Sequence, residues 1–268
     1  MDKRLVVKQV FCKSILSKSR LGTDYSINPY RGCVHACVYC YAPYVLREKR
    51  EWGEFIEVKM NAPEALEKDL KRNKSGTIFI SSVTDPYNPL EKKYELTRRI
   101  LEKLKDTKFF ISIQTKSDLV LRDIDLLKQM DCEVGMTITT FDENARKIFE
   151  PNASSSKERL KALKILKDNG IKTYIFFGPV LPLISDKNLE ETIKKFASVR
   201  PDYIYVDRLN IKRSLHWRKI RKILEKNYPE LFEKWERILF SENDYYEKIK
   251  KRVIELCKKY NLKYELCY

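Results

Sequence analysis

The chain has 268 residues and a formal net charge of +16, long enough to bury one large core. Its longest apolar stretch, near Tyr174–Ile184, is broken by Gly178, Pro179 and Pro182, which excludes a membrane-spanning helix there. Seven cysteines without an N-terminal secretion pattern point to a reducing, cytoplasmic compartment in which thiols serve metal and not disulfides. The charge favours polyanions such as nucleic acid. It fits equally a hyperthermophile-like surface, since Lys and Glu are abundant and Gln is confined to Gln9, Gln114 and Gln129.

Strand-like and helix-like segments alternate along the chain. Asp24–Asn28 reads as a short first strand feeding a cysteine-rich loop. Glu54–Met60 reads as a small extra strand, followed by a helix over Pro63–Arg72. Gly76–Val83 is an apolar strand ending in the turn Asp85-Pro86. Tyr94–Lys105 is helical through Leu96, Ile100, Leu101 and Leu104. Lys108–Thr115 is a strand, Leu119–Met130 a helix and Glu133–Thr140 a strand. Lys157–Asn169 is a helix closed by Gly170. Ile171–Val180 and Asp202–Leu209 are strands separated by a helix near Leu189–Val199. Lys212–Lys259 is strongly helical and charged, and Tyr264–Leu266 adds a final strand. These periods predict repeated βα units around a parallel sheet. About six such strands suit a partial open (β/α)6 TIM-like barrel with a helical C-terminal extension. One domain is expected over residues 1–268, with a core at about 24–210 and the extension at about 211–268.

The most informative string is Asn28-Pro29-Tyr30-Arg31-Gly32-Cys33-Val34-His35-Ala36-Cys37-Val38-Tyr39-Cys40-Tyr41. Cys33, Cys37 and Cys40 have CxxxCxxC spacing. Three thiolates can hold three irons of a cubane and leave the fourth without a protein ligand, whereas structural Fe–S sites normally use four cysteines. Gly32 allows a sharp turn into the trio. A structural zinc site completed by His35 is the alternative, as is a cluster that only carries electrons. Cys12, Cys132, Cys257 and Cys267 are scattered and read as core or bystander residues.

This string resembles the cluster loop of radical S-adenosylmethionine (SAM) enzymes, in the branch related to spore photoproduct lyase, a DNA repair enzyme. The resemblance covers roughly Asp24–Asn210 and agrees with the (β/α)6 strand count. It implies that Cys33, Cys37 and Cys40 bind a [4Fe–4S] cluster whose open iron takes SAM. It also implies an electron donor such as ferredoxin or flavodoxin, and lyase-type or transferase-type radical chemistry. Tyr39 matches a tyrosine implicated in hydrogen transfer, or shields the cluster. Ser82 falls where the branch carries a hydrogen-donating cysteine, and a serine O–H bond is too strong for that role.

Functional residues of parallel barrels collect at the C-terminal strand ends. There the resemblance assigns Ser81, Ser82, Thr84 and Asp85 to the SAM amino group, although Asp85 also fits an Asp-Pro turn. Lys116 would pair with the methionine carboxylate. Thr137 and Thr139 share a face by alternation and would contact ribose or carboxylate, although Thr also simply favours strands. Glu150 would bond the ribose, and Arg159 would bind a carboxylate or fix Glu150. Ser154–Ser156 would equally cap a helix that carries Arg159 on its surface. The substrate is not named by these residues; nucleic acid is the best single class.

Overall fold

The computed structural model describes residues 5–268. The chain opens with strands β1 (Val6–Val10), β2 (Leu16–Lys18), β3 (Tyr25–Ile27) and β4 (Tyr30–Arg31). The cysteine loop and one helical turn, α1 (Ala42–Val45), follow, then β5 (Phe55–Lys59), α2 (Ala62–Leu70) and β6 (Ser75–Ile80). Next come α3 (Glu91–Tyr94), α4 (Leu96–Leu104), β7 (Lys108–Thr115), α5 (Ile124–Leu127) and β8 (Cys132–Thr137). Helices α6 (Glu143–Phe149) and α7 (Ser156–Asp168) precede β9 (Lys172–Val180), α8 (Leu189–Ser198) and β10 (Tyr203–Arg208). The extension holds α9 (Ser214–Asn227), α10 (Pro229–Phe240), α11 (Tyr245–Lys259) and β11 (Tyr264–Leu266).

The main sheet has the order β11-β10-β9-β8-β7-β6-β3-β2. Every neighbouring pair is parallel except β2–β3. Strands β3 and β6 to β10 are therefore the six-stranded parallel arc that the sequence predicts, and the sheet stays open between β2 and β11. These strands read clearly because both faces are covered, so their sequences are nearly continuous apolar runs. All six residues of β8 are buried. A second sheet, β1-β5-β4, lies beside the cysteine loop. Strands β1, β2 and β4 escape the sequence reading, being short or largely exposed. No helix among the described residues is long and apolar enough to cross a membrane.

Two predicted helices are broken, for one shared reason. The expected helix over Tyr94–Lys105 steps into left-handed geometry at Glu95 and restarts as α4. The buried Glu91 carboxylate accepts hydrogen bonds from the Thr97 and Arg98 backbone N–H groups, 3.0 and 3.3 Å away, and so caps the new helix. Arg122 turns inward onto the same carboxylate at 2.8 Å, and buried Asp123 pairs with Arg98 at 3.1 Å. The stretch expected to be one helix over Leu119–Met130 is instead a 3₁₀ turn, Asp118–Asp123, followed by α5. Helix α7 starts as predicted. The Ser155 hydroxyl accepts from the Glu158 N–H, and Glu158 answers the Ser155 N–H.

Gly135 of β8 lies opposite Tyr174 of β9. A Cβ there would stand 2.1 Å from the Tyr174 ring. That ring cannot give way freely, because it stacks on Tyr203 at 5.3 Å and meets Tyr205 edge-on at 5.5 Å. Gly135→Ala is expected to destabilise the barrel by about 1–3 kcal/mol through overpacking. A lowered urea midpoint, followed by circular dichroism, checks this. A midpoint equal to the parent's would mean that the tyrosine stack yields.

Candidate active site at the barrel mouth

The cysteine loop crosses the C-terminal ends of the parallel strands. Gly32 enters it with φ +91°, and a Cβ would stand 2.5 Å from the Phe55 carbonyl oxygen, so glycine is required there. Cys33 and Cys37 are buried and Cys40 is half-buried. Cys33 and Cys40 pack with Ala42, Trp52 and Phe55, and Cys37 packs with Val38, Tyr39 and Phe149. All three thiols are free of disulfides. Burial pushes the Cys37 thiol up to about 12, against the opposing pull of Lys116. Burial and the Asp85 carboxylate push Cys33 well up.

Three thiols from one loop are the donor set of a cubane with one iron left open. Three shielded thiols of one loop can each bind a different iron. Among the described residues, no three His, Cys, Asp or Glu side chains converge on one ion. His35, the alternative fourth zinc ligand, is buried and has its Nδ1 against a carboxylate. It is 2% exposed, and its Nδ1 lies 3.3 Å from Asp85 Oδ2.

A second segment braces the loop. Residues 149–152 run alongside it. The Val38 N–H donates to the Phe149 carbonyl at 2.9 Å, and Asn152 Nδ2 donates to the Val34 carbonyl at 2.8 Å. Between these contacts lies Glu150, fully buried. Its carboxylate accepts from the Tyr39 hydroxyl, from the Thr139 hydroxyl at 3.0 Å, and from Arg159 Nη2. Arg159 also donates to the Thr137 and Ser154 carbonyls, each at 2.8 Å. Burial alone would raise the Glu150 carboxyl; Arg159 and Lys116 outweigh it and hold the group below its ordinary range. Arg159 is therefore not on the surface of α7, one of the two readings the sequence allows. It is fully buried and fixes Glu150, which is the other.

Asp85 braces the opposite side. Its carboxylate accepts from the Thr115 hydroxyl at 2.6 Å, the Lys116 N–H at 2.8 Å and the Tyr87 N–H at 2.9 Å. Burial opposes ionisation, but His35 and these donors hold the carboxyl down at about 2. The Thr84 hydroxyl donates to the Gly32 carbonyl at 2.6 Å, tying the β6 loop to the cysteine loop. Asn28 clamps the same loop through Ser82 Oγ and the Val83 N–H, both at 3.0 Å. Thr137 Oγ1 accepts from Gln114 at 3.2 Å. Two predicted groups face the mouth without such partners among the described residues. The buried Ser81 Oγ has no hydrogen bond. Lys116 Nζ lies 5.7 Å from the Tyr39 ring centre, with no ion pair recorded for it. The thiol of Cys37, with Glu150 and Asp85, holds the Lys116 ammonium above its ordinary value despite the opposing effect of burial.

Two participants carry no signal in the local sequence. Trp52 shields Cys33 and Cys40 from the β5 side. His216 of α9, fully buried, accepts the Lys212 N–H at Nδ1 and lies 3.0 Å from the Tyr39 carbonyl through Nε2. That pattern requires the Nε2–H tautomer, and burial pushes the ring's pKa down to about 4. The ring also stacks on Tyr44, 4.5 Å away. Only the folded chain brings residues this distant to the loop.

Glu150→Gln would leave the Arg159 guanidinium buried without a counter-charge. A loss of about 3–5 kcal/mol is expected, read as a lower urea midpoint. A midpoint within error of the parent's would contradict the brace.

The model of the radical SAM superfamily matches residues 27–196. An uncharacterized protein of Methanocaldococcus jannaschii is 40% identical over 87% of this chain and 88% of its own length. One from Acidianus two-tailed virus is 30% identical over 91% and 82%. A radical SAM Nalpha-GlyT isomerase of Pseudomonas phage M6 is 25% identical over 66% of this chain and 38% of its own. Spore photoproduct lyase complexed with dinucleoside spore photoproduct shares the fold, with TM-score 0.75 and 15% identity over 98% of this chain and 82% of that one. A variant of that lyase with bound AdoMet gives TM-score 0.72 and 17% identity over the same shares. With the cysteine trio at the mouth of a parallel, open barrel, the chain belongs to the radical SAM superfamily and is a radical SAM enzyme.

Proposed function

We propose that Cys33, Cys37 and Cys40 hold a [4Fe–4S] cluster, that SAM lies at the strand ends beside it, and that the substrate is a nucleic acid. The observation that carries the cofactor reading is the trio of free, shielded thiols on one braced loop, near a lysine with no ion pair among the described residues. A reduced cluster held by these three thiols would supply the single electron that splits the sulfonium of SAM into methionine and a 5′-deoxyadenosyl radical able to abstract hydrogen.

The chain's own residues divide the remaining work. The Lys116 ammonium offers a point charge to the methionine carboxylate. Ser81 Oγ and nearby backbone carbonyls offer acceptors to the SAM amine. Asp85, Thr84, Thr139, Glu150 and Arg159 act at one remove, holding the loop and the strand ends in place. Thr137 orients Gln114. The Tyr39 phenol, fixed on Glu150, stands beside Cys40 with a defined direction. The resemblance aligns Ser82 with the lyase branch's hydrogen-donating cysteine, and a serine O–H bond is too strong for that role. A one-electron donor of the ferredoxin or flavodoxin type completes the cycle. The substrate class rests on the net charge and on the dinucleoside bound by spore photoproduct lyase.

Two variants test the assignment. After anaerobic reconstitution, Cys37→Ala should lose most of the brown cluster absorbance while remaining folded. Full iron retention would refute the ligand set. Lys116→Ala should keep its iron and bind SAM at least tenfold more weakly by calorimetry; unchanged affinity would discard the carboxylate role.

A further inference from the structure

Between Ile211 and Asn227 the chain carries seven Lys and Arg residues against one acid, Glu225. Glu225 is already bound by Arg221 at 2.7 Å, and Lys219 reaches Glu51 at 2.8 Å. The others have no ion-pair partner recorded among the described residues. Leu215, Arg218, Lys222 and Lys226 are exposed. Their spacing of three, four and four residues sets them in one row, opposite the buried face of His216, Ile220 and Leu224. Three successive unpaired cations on one face, spanning about 12 Å of helix, are a row of phosphate-spaced charge.

A uniformly lysine-rich surface would not look like this. The next helix, α10, sets Glu230, Glu233 and Glu236 against Lys234 and Arg237. Elsewhere cations are commonly paired, as in Arg99–Glu64, Lys103–Glu67 and Lys195–Glu191.

The row also leads to the site. Its first turn is fastened to the cysteine loop by His216 on the Tyr39 carbonyl and by the Tyr44 hydroxyl, 3.4 Å from the Leu215 carbonyl. Exposed apolar side chains lie on these same helices: Val45 of α1, Leu215 of α9 and Phe240 of α10. Phe240 meets Trp217 edge-on at 5.2 Å. These two rings form part of a cleft of about 480 Å³, with Lys212 and Arg213 on its rim. Aromatic surface beside unpaired cations fits unstacked bases and their phosphates. A closed duplex would not present bases to those rings.

We propose that the exposed face of α9 and the adjoining Trp217–Phe240 cleft dock single-stranded nucleic acid and lead it toward the cysteine loop. This rests on the nucleic-acid reading above and assigns it a surface. The test is anaerobic fluorescence anisotropy of the reconstituted protein with a labelled, mixed-sequence DNA single strand across a salt series. In the triple variant Arg218→Ala, Lys222→Ala, Lys226→Ala, all three changes are exposed and helix-favouring. Binding should weaken at least tenfold, and the slope of log affinity on log salt should flatten by about 2, at ~0.7 per lost contact. The control variant Lys71→Ala, Lys74→Ala, Lys105→Ala removes equal charge near the N-terminal ends of β6 and β7, and should change binding less than threefold.

Equal losses in the two variants, or none in the first, would overturn the proposal. So would an α9 variant that loses co-sedimentation with phosphatidylglycerol vesicles but binds DNA normally, which would assign the face to a lipid surface. Iron and sulfide content separate the two readings. An intact cluster without an α9-specific loss removes only the docking surface. An α9-specific loss in a chain that takes no cluster keeps the surface and removes the cofactor assignment.

Discussion

The site depends on one buried carboxylate. An ionised group deep in a protein costs several kcal/mol unless it is compensated, so the partners of Glu150 are not free to move. They come from three places: Tyr39 of the cysteine loop, Thr139 beyond β8, and Arg159 of α7. Arg159 is bound in turn to two backbone carbonyls. One charge pair thus sets the loop, a strand end and a helix start in mutual register. Asp85 does the same on the other side, joining the β6 and β7 ends to His35 of the loop. Between these two braces stand Ser81, whose hydroxyl has no hydrogen bond among the described residues, and Lys116, which has no ion pair recorded among them.

The C-terminal extension belongs to this arrangement. Trp235 of α10 stacks on Phe149, 6.0 Å away, next to the residue that carries the brace. Ile220 and Leu224 of α9 share a core with Cys37, Val38 and Tyr39. Helix α9 is therefore packed on the same core as the loop.

Much of this was legible in the sequence, for physical reasons. Parallel strands buried on both faces appear as apolar runs, so Lys108–Thr115 matches its predicted bounds; the edge strand Tyr264–Leu266 matches too, although none of its residues is buried. The cysteine trio is local and can be read by spacing alone. Of the braces, Asp85 and Thr139 were legible as polar groups near strand ends, and Tyr39, Glu150 and Arg159 through the family resemblance. Their partnerships were not, because Tyr39 and Glu150 lie 111 positions apart, and His216 and Tyr39 177. Glu91 is equally silent in sequence, yet its buried charge divides one expected helix and reshapes another. Helix α6, capped by Asp142, had a readable start but no apolar period long enough to stand out.

The central claim is that this loop supports SAM cleavage. Its most direct test is anaerobic reconstitution with iron and sulfide, addition of SAM and dithionite, and chromatography for 5′-deoxyadenosine. The account predicts 5′-deoxyadenosine well above a Cys40→Ala control. An intact cluster, with SAM bound and a nucleic-acid substrate present, that yields no more than the control would contradict it.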